Sequence, residues 1–215
     1  GDAPRGGVSE YDVGAADVSA TFGGQTGSVS VTVTAKELVS LTVSPATNVS
    51  VPVGLTQGFT VDGTYSDGSH ADLTTQATWV SSATGTATIS NAAGSEGVLT
   101  AVAEGTTTVQ DALGGVTSAS VDVTVSAPVL LSISVTPATT SLAKGRTQQL
   151  TATGTYSDGS TPDLTALVTW ASDDASVTVS NAAGSKGLAA AANVGSANVT
   201  AVLSSVPGVT GNATV

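Results

Sequence analysis

Residues 59–79 read FTVDGTYSDGSHADLTTQATW, and residues 150–170 read LTATGTYSDGSTPDLTALVTW. In the first stretch Phe59, Val61, Gly63 and Tyr65 fall on one face, while Thr60, Asp62 and Thr64 fall on the other. That period of two is the pattern of a half-buried strand. Leu150, Ala152, Gly154 and Tyr156 repeat it. The Asp67-Gly68 and Asp158-Gly159 pairs then break the alternation with residues suited to a tight hairpin, because glycine accepts a positive φ. Ala77 with Trp79, and Val168 with Trp170, place one tryptophan on the inner face of the following strand. Two β units are predicted, each with a core built on one tryptophan. Trp79, Trp170, Tyr65 and Tyr156 are the expected structural core residues.

The repetition extends outward from these stretches. Asn91-Ala-Ala-Gly-Ser95 returns as Asn181-Ala-Ala-Gly-Ser185, and Ser44-Pro45-Ala-Thr returns as Thr136-Pro137-Ala-Thr. The offset drifts between 90 and 92 residues, as single deletions in loops would produce. Two full units follow, 38–126 and 129–215. A partial copy precedes them. Gly14-Ala-Ala-Asp-Val-Ser-Ala20 matches Gly105–Asp111 and Gly195–Ala201, and Val29–Val33 matches the closing strand Val121–Val125. Residues 1–37 therefore read as the C-terminal part of a preceding repeat whose front is absent, an incomplete sandwich that cannot bury a core alone. Any export signal is either missing or already removed.

Composition narrows the function classes. The 215 residues include 25 glycines but only 3% aromatics and no cysteine or methionine. Charged residues make up 10%, against about 25% in ordinary globular chains. Sixteen acids against five bases give a net charge of −11, and the bases are scattered. Nucleic acid and anionic membranes are poor partners for such a chain, since phosphate recognition needs clustered Lys and Arg. No apolar run is long enough to span a bilayer, so no membrane insertion is expected. The absence of cysteine excludes disulfide scaffolds, thiol catalysis and Cys-ligated zinc.

The ordered series of motifs resembles bacterial immunoglobulin-like group 2 domains, of the kind found in intimin- and invasin-like adhesins. These motifs are Leu/Ile-x-Val-x-Pro-Ala, Gly-Thr-Tyr-Ser-Asp-Gly-Ser, Thr-Trp, Ser-Asn-Ala-Ala-Gly-Ser-x-Gly and a closing Val-x-Val. The resemblance implies tandem immunoglobulin-like β-sandwiches: a remnant over 1–37 and complete repeats over 38–126 and 129–215. It also implies a setting, that of tandem modules at the bacterial cell surface. The family carries no catalytic motif, so no catalytic residue transfers.

Candidate sites are few. Asp67 with Asp72, and Asp158 with Asp163, offer two carboxylates per unit for Ca²⁺. A calcium ion takes six to eight oxygens, and only the second unit adds Asp173 and Asp174. These are the metal candidates; no other cofactor is expected. His70 follows Asp67-Gly-Ser69 and reads as an exposed loop residue, since a triad depends on geometry rather than adjacency. Ser141-Leu-Ala-Lys144 has the Ser-x-x-Lys spacing of penicillin-binding enzymes without their companion motifs. Asn48, Asn198 and Asn212 begin glycosylation tripeptides of the kind that arise by chance in a Thr-rich chain. Asp111 aligns with Ala20 and Ala201 on the core face. The expectation is that the strand ends there and the carboxylate reaches solvent, because burying it would be costly.

These readings exclude an enzyme and favour a stalk or spacer in an extracellular adhesin or surface fibre. Its partners would be neighbouring Ig-like repeats or identical subunits. A second reading is a filament subunit whose incomplete N-terminal sandwich receives a strand from another copy. A third is recognition of a carbohydrate or host protein through loops.

Overall fold

A computed structural model describes residues 13–215. Among these residues there are strands and turns and no helix. The protein is an all-β chain of tandem immunoglobulin-like units, as its sequence predicts.

The first two strands, β1 (Gly14–Phe22) and β2 (Gln25–Val33), form a two-stranded hairpin. Its register pairs Val18 with Val29 and Ala16 with Val31. The front part of the preceding-repeat segment, residues 1–12, lies outside the described residues.

The first complete unit contains eleven strands: β3 (Leu38–Ser44), β4 (Val49–Pro52), β5 (Thr56–Gly58), β6 (Thr60–Tyr65), β7 (His70–Asp72), β8 (Thr78–Ser81), β9 (Ala87–Ile89), β10 (Val98–Ala101), β11 (Gly105–Leu113), β12 (Val116–Thr117) and β13 (Val121–Ser126). They pair in the orders β3-β6-β7, β5-β10-β9 and β12-β11-β13-β4, with β8 also pairing β11. Every pair is antiparallel except β4 on β13. The β11–β13 pair sets Val109 opposite Val121 and Thr107 opposite Val123, the register that β1 and β2 use.

The second unit contains β14 (Leu130–Thr136), β15 (Thr147–Gln149), β16 (Thr151–Tyr156), β17 (Thr169–Ser172), β18 (Val177–Val179), β19 (Leu188–Ala191), β20 (Asn198–Val202) and β21 (Thr210–Thr214). It repeats the main pairings, β14-β16, β15-β19-β18 and β17-β20-β21. Its counterpart of β4 is reduced to a single parallel bridge, Thr139 to Thr214.

Alternation decides which residues meet inside. Leu41, Val43 and Val61 from one sheet close on Trp79, Val109, Val121 and Val123 from another, with Phe59 and Leu99 completing the cluster. Ile133, Leu150, Leu164, Trp170 and Val199 do the same in the second unit. Trp79 and Trp170 are each 2% exposed, while Tyr65 and Tyr156 are half-buried, with Tyr156 packed against the second cluster.

Each tryptophan is fixed by one hydrogen-bond arrangement, and that arrangement accounts for the repeated motifs. The Trp79 indole N–H donates to the Thr74 carbonyl at 3.0 Å. The Thr74 hydroxyl accepts the Val61 amide at 3.0 Å, and the Thr74 amide donates to Asp72 Oδ1 at 2.9 Å. On its other side the Trp79 backbone is clamped by the Asn91 carboxamide, which accepts from the amide at 2.7 Å and donates to the carbonyl at 2.9 Å. Trp170, Thr165, Asp163 and Asn181 repeat the set with distances of 2.8 to 3.1 Å.

The structure corrects one expectation. β11 runs on through Leu113, so Asp111 stays in the ladder opposite Trp79. It is 1% exposed, and neither carboxylate oxygen has a hydrogen-bond partner. Its amide donates to the Ser118 hydroxyl at 3.1 Å. Burial pushes this carboxyl above the usual carboxylate range, with the adjacent Ser118 hydroxyl pulling the other way. The strand cannot end at Asp111 because its next turn, Gly114-Gly115, comes three residues later and folds β12 back onto β11.

Two outcomes follow. Asn91→Ala leaves both backbone groups of Trp79 without their side-chain partner, at a cost of about 1–3 kcal/mol. It should lower the urea midpoint of the first unit and spare the second. Asp111→Ala should raise the stability of the first unit at pH 7 by roughly 1–3 kcal/mol, since it removes an unpaired buried polar group. A raised folded pKa means the native state binds the extra proton. Wild-type stability therefore falls as pH rises from about 4 through the folded pKa. The variant should lose that slope in a melt series between pH 4 and 8.

Candidate functional site

The place where the repeated motifs meet is the junction between the two complete units. It is built from the linker Ala127-Pro128-Val129, the turn after β16 and the turn after β4.

The turn after β16 begins where Tyr156 and Ser160 close the hairpin. The Gly159 amide donates to the Tyr156 carbonyl at 3.0 Å, and the Tyr156 amide donates to the Ser160 carbonyl at 3.0 Å. The loop is Ser157-Asp158-Gly159, with Gly159 at φ +83°. This is a three-residue hairpin rather than a two-residue Asp-Gly turn, and the glycine occupies its left-handed third position. Asp158 holds the loop by accepting the Ser160 amide and hydroxyl at 2.9 and 2.7 Å. Those bonds, the hydroxyl's first, hold its carboxyl below the usual range.

Ser157 is thereby presented to the linker. Its amide donates to the Val129 carbonyl at 2.9 Å, and its Oγ accepts the Val129 amide at 3.0 Å. The same hydroxyl donates across the junction to the Val53 carbonyl at 2.6 Å. Val53 is held in turn by its amide, which donates to Ser126 O at 3.0 Å. Gly54, at φ +85°, faces the turn directly. A Cβ added there would fall on the Ser157 carbonyl and within 2.8 Å of the Asp158 Cα. One serine thus ties the linker, its own unit and the preceding unit together, and a glycine lets the backbones approach.

The first unit carries the same turn. Ser66 Oγ accepts the Glu37 amide at 3.0 Å, and the Ser66 amide donates to the Glu37 carbonyl at 2.8 Å. Asp67 accepts the Ser69 amide and hydroxyl at 2.9 and 2.6 Å. Lys36 Nζ donates to Ser69 Oγ at 2.9 Å and stands 4.2 Å from the centre of the Tyr65 ring.

The four calcium candidates are placed in pairs of separate local motifs. Asp67 and Asp158 close the Ser-Asp-Gly turns; Asp72 and Asp163 cap the Thr that receives the indole. All four carboxyls lie below the usual range because of these hydroxyl and amide donors. Among the described residues no group of three or more His, Cys, Asp or Glu side chains comes together for a metal ion. In the second unit Asp173 holds the Asn198 amide at 2.7 Å, and Asp174 holds the Ser176 amide at 2.7 Å.

His70 lies in β7 rather than in a loop, and it is exposed. Its Nδ1 is 2.7 Å from Asp62 Oδ1, whereas Ser69 is engaged with Asp67. The three residues do not form a relay. Lys144 Nζ donates to Asn193 Oδ1 at 3.3 Å, and Ser141 lies in the segment before that turn. Sequence reasoning recognised the Asp-Gly turns but missed Ser157, Val53 and Gly54 as a set. The available signal was the serine preceding Asp-Gly in both copies, together with Gly54 and Gly145 at matching positions.

The bacterial Ig-like domain (group 2) family matches residues 37–125 and 130–213. Ice-binding protein 1 of Shewanella frigidimarina is 43% identical over 168 residues, which are 78% of this chain and 18% of that protein. The chain thus spans less than a fifth of that relative. Among solved structures, domains 4–9 of the surface layer protein SbsC are 25% identical, covering 94% of this chain and 35% of that one, with a TM-score of 0.41. A C-terminal fragment of intimin, solved with the intimin-binding domain of the translocated intimin receptor, is 16% identical. It covers 83% of this chain and 63% of that one, with a TM-score of 0.33.

The junction can be tested directly. Ser157→Ala removes the bond to Val53, and Gly54→Asn adds a side chain while tolerating positive φ. Each should widen the distance distribution between spin labels on the two units, measured by double electron–electron resonance. Gly54→Asn should have the larger effect, and neither should shift the melting of either unit by more than a few degrees.

Proposed function

The chain belongs to the bacterial Ig-like domain (group 2) family, and on that premise we propose that it is a non-catalytic spacer within an extracellular bacterial surface protein. In this role its stacked sandwiches hold another domain away from the cell. The observation that carries the reading is the Ser157–Val53 junction, backed by Gly54 against the Ser157–Asp158 backbone. A binding or catalytic module needs convergent reactive groups, whereas a spacer needs control over the angle between units. Here the repeated polar residues serve the turns, the tryptophan clamp and the junction. The three-residue linker also contains Pro128, which fixes its own φ and restricts Ala127. No resident metal is assigned to this role.

The identity to an ice-binding protein supports a parent protein whose working domain, outside this segment, recognises ice. A surface fibre remains the second reading, and one observation favours it. β1 and β2 keep a core register, yet Phe22 and Val29 are 92% and 60% exposed. A strand added from another copy would cover that face.

The spacer reading predicts that the 215-residue chain produces no thermal hysteresis and no ice-crystal shaping at tens of micromolar. It also predicts that EDTA and millimolar Ca²⁺ leave both melting transitions in place. Ice shaping by this chain alone would overturn the assignment. A concentration-dependent oligomer on sedimentation, abolished by Val29→Asp, would favour the fibre.

A further inference from the structure

We propose that the turn at Lys144–Gly145 is a second receptor of the Val53–Gly54 type, which takes the Ser-Asp-Gly turn of a following group 2 module. The inference rests on the spacer reading and names the partner that continues it.

The receptor turn is formed twice with the same bonds. In the first unit the Gly54 amide donates to Ala101 O at 3.0 Å, the Leu55 amide to Pro52 O at 3.0 Å, and the Ala101 amide to Leu55 O at 3.0 Å. In the second unit the Gly145 amide donates to Ala191 O at 2.8 Å, the Arg146 amide to Ala143 O at 2.9 Å, and the Ala191 amide to Arg146 O at 3.0 Å. The two glycines have φ of +85° and +82°. They differ in what lies against them. A Cβ at Gly54 would strike the incoming turn, while one at Gly145 meets nothing within 4 Å. Lys144 takes the place of Val53 in this matching turn and is exposed.

The complementary half is also formed twice. Ser66 holds Glu37 as Ser157 holds Val129, with matching bonds of 3.0 and 2.8 Å against 3.0 and 2.9 Å. Ser157 spends its proton on Val53 and is half-buried, whereas Ser66 is exposed and has no acceptor among the described residues. The pair of units therefore offers a donor turn at one side and a receptor turn at the other. The occupied Val53–Ser157 junction shows what fits between such turns. Charge agrees with this occupant. Both Ser-Asp-Gly turns carry an aspartate beside the serine, and the second receptor has Lys144, whose ammonium rests 3.3 Å from the uncharged Asn193 Oδ1, where the first has an apolar Val53.

The test uses the full chain, extended after Val215 by Ser-Ala-Pro and a second copy of residues 129–215. The added serine can then accept the Lys144 amide as Ser126 accepts that of Val53. Spin labels across the old and new junctions give two distance distributions. The expected result is a new distribution as narrow as the old one. Gly145→Asn, or alanine in place of the appended copy's equivalent of Ser157, should at least double the width of the new distribution and leave the old unchanged. A narrow old distribution with a broad new one overturns this inference and leaves the spacer reading standing. A narrow new distribution that survives both substitutions also overturns it. Broad distributions at both junctions would overturn the spacer reading itself.

Discussion

Each sandwich depends on one indole and on the satisfaction of its single polar atom. With seven aromatic residues in 215, the first core buries two aromatic side chains, Trp79 and Phe59, and the second buries one, Trp170. Burying Trp79 or Trp170 is worth about 3–5 kcal/mol relative to alanine, a large part of a domain's net stability. That gain requires the indole N–H to be paired inside. Thr74 and Thr165 supply the carbonyl, and the same threonines cap the amides of Val61 and Ala152. Asp72 and Asp163 then hold the threonines. Asn91 and Asn181 clamp the tryptophan backbone from the other side, so three polar side chains in each unit serve this one residue.

The dependence explains why the fold was legible and the roles of individual residues were not. Strand faces, the two tryptophans and the repeat follow from period-two alternation and self-similarity, which one sequence displays openly. The aspartates looked like paired carboxylates because Asp67 and Asp72 are close in sequence. In space each is consumed by an amide two residues on, and the spacing of two is the mark of an Asx turn. Asp111 was misplaced for a related reason. A carboxylate on a core face argues for the end of a strand, but the length of β11 is set by where its glycine turn falls, at Gly114-Gly115, and by its ladder with β8. The chain tolerates the misfit. The aligned Ala201 shows that the same site closes without a carboxylate.

The junction was hidden from sequence for a different reason. Ser157 and Val53 are 104 residues apart and belong to different units, so no local pattern joins them. Only the structure shows that a motif repeated for the sake of a hairpin also makes a contact to the preceding unit. The serine at the first loop position needs no hydroxyl to make the turn, because Asp158 and Gly159 already determine it. Its hydroxyl is used instead to accept from the linker and to donate to the preceding unit.

That division of labour bears on how such a chain can be lengthened. A junction made from general surface complementarity would need a fresh solution at each boundary. Here the contact uses backbone on one side, and on the other a serine that each hairpin presents in the same way. Glycine removes the side chain that would otherwise vary at the point of closest approach. In the spacer role proposed above, backbone geometry rather than the identity of neighbouring side chains sets the angle between units. The hairpin's own stability keeps the backbone half of the contact in place, while the serine hydroxyl, which the turn does not need, is the part that the junction alone requires.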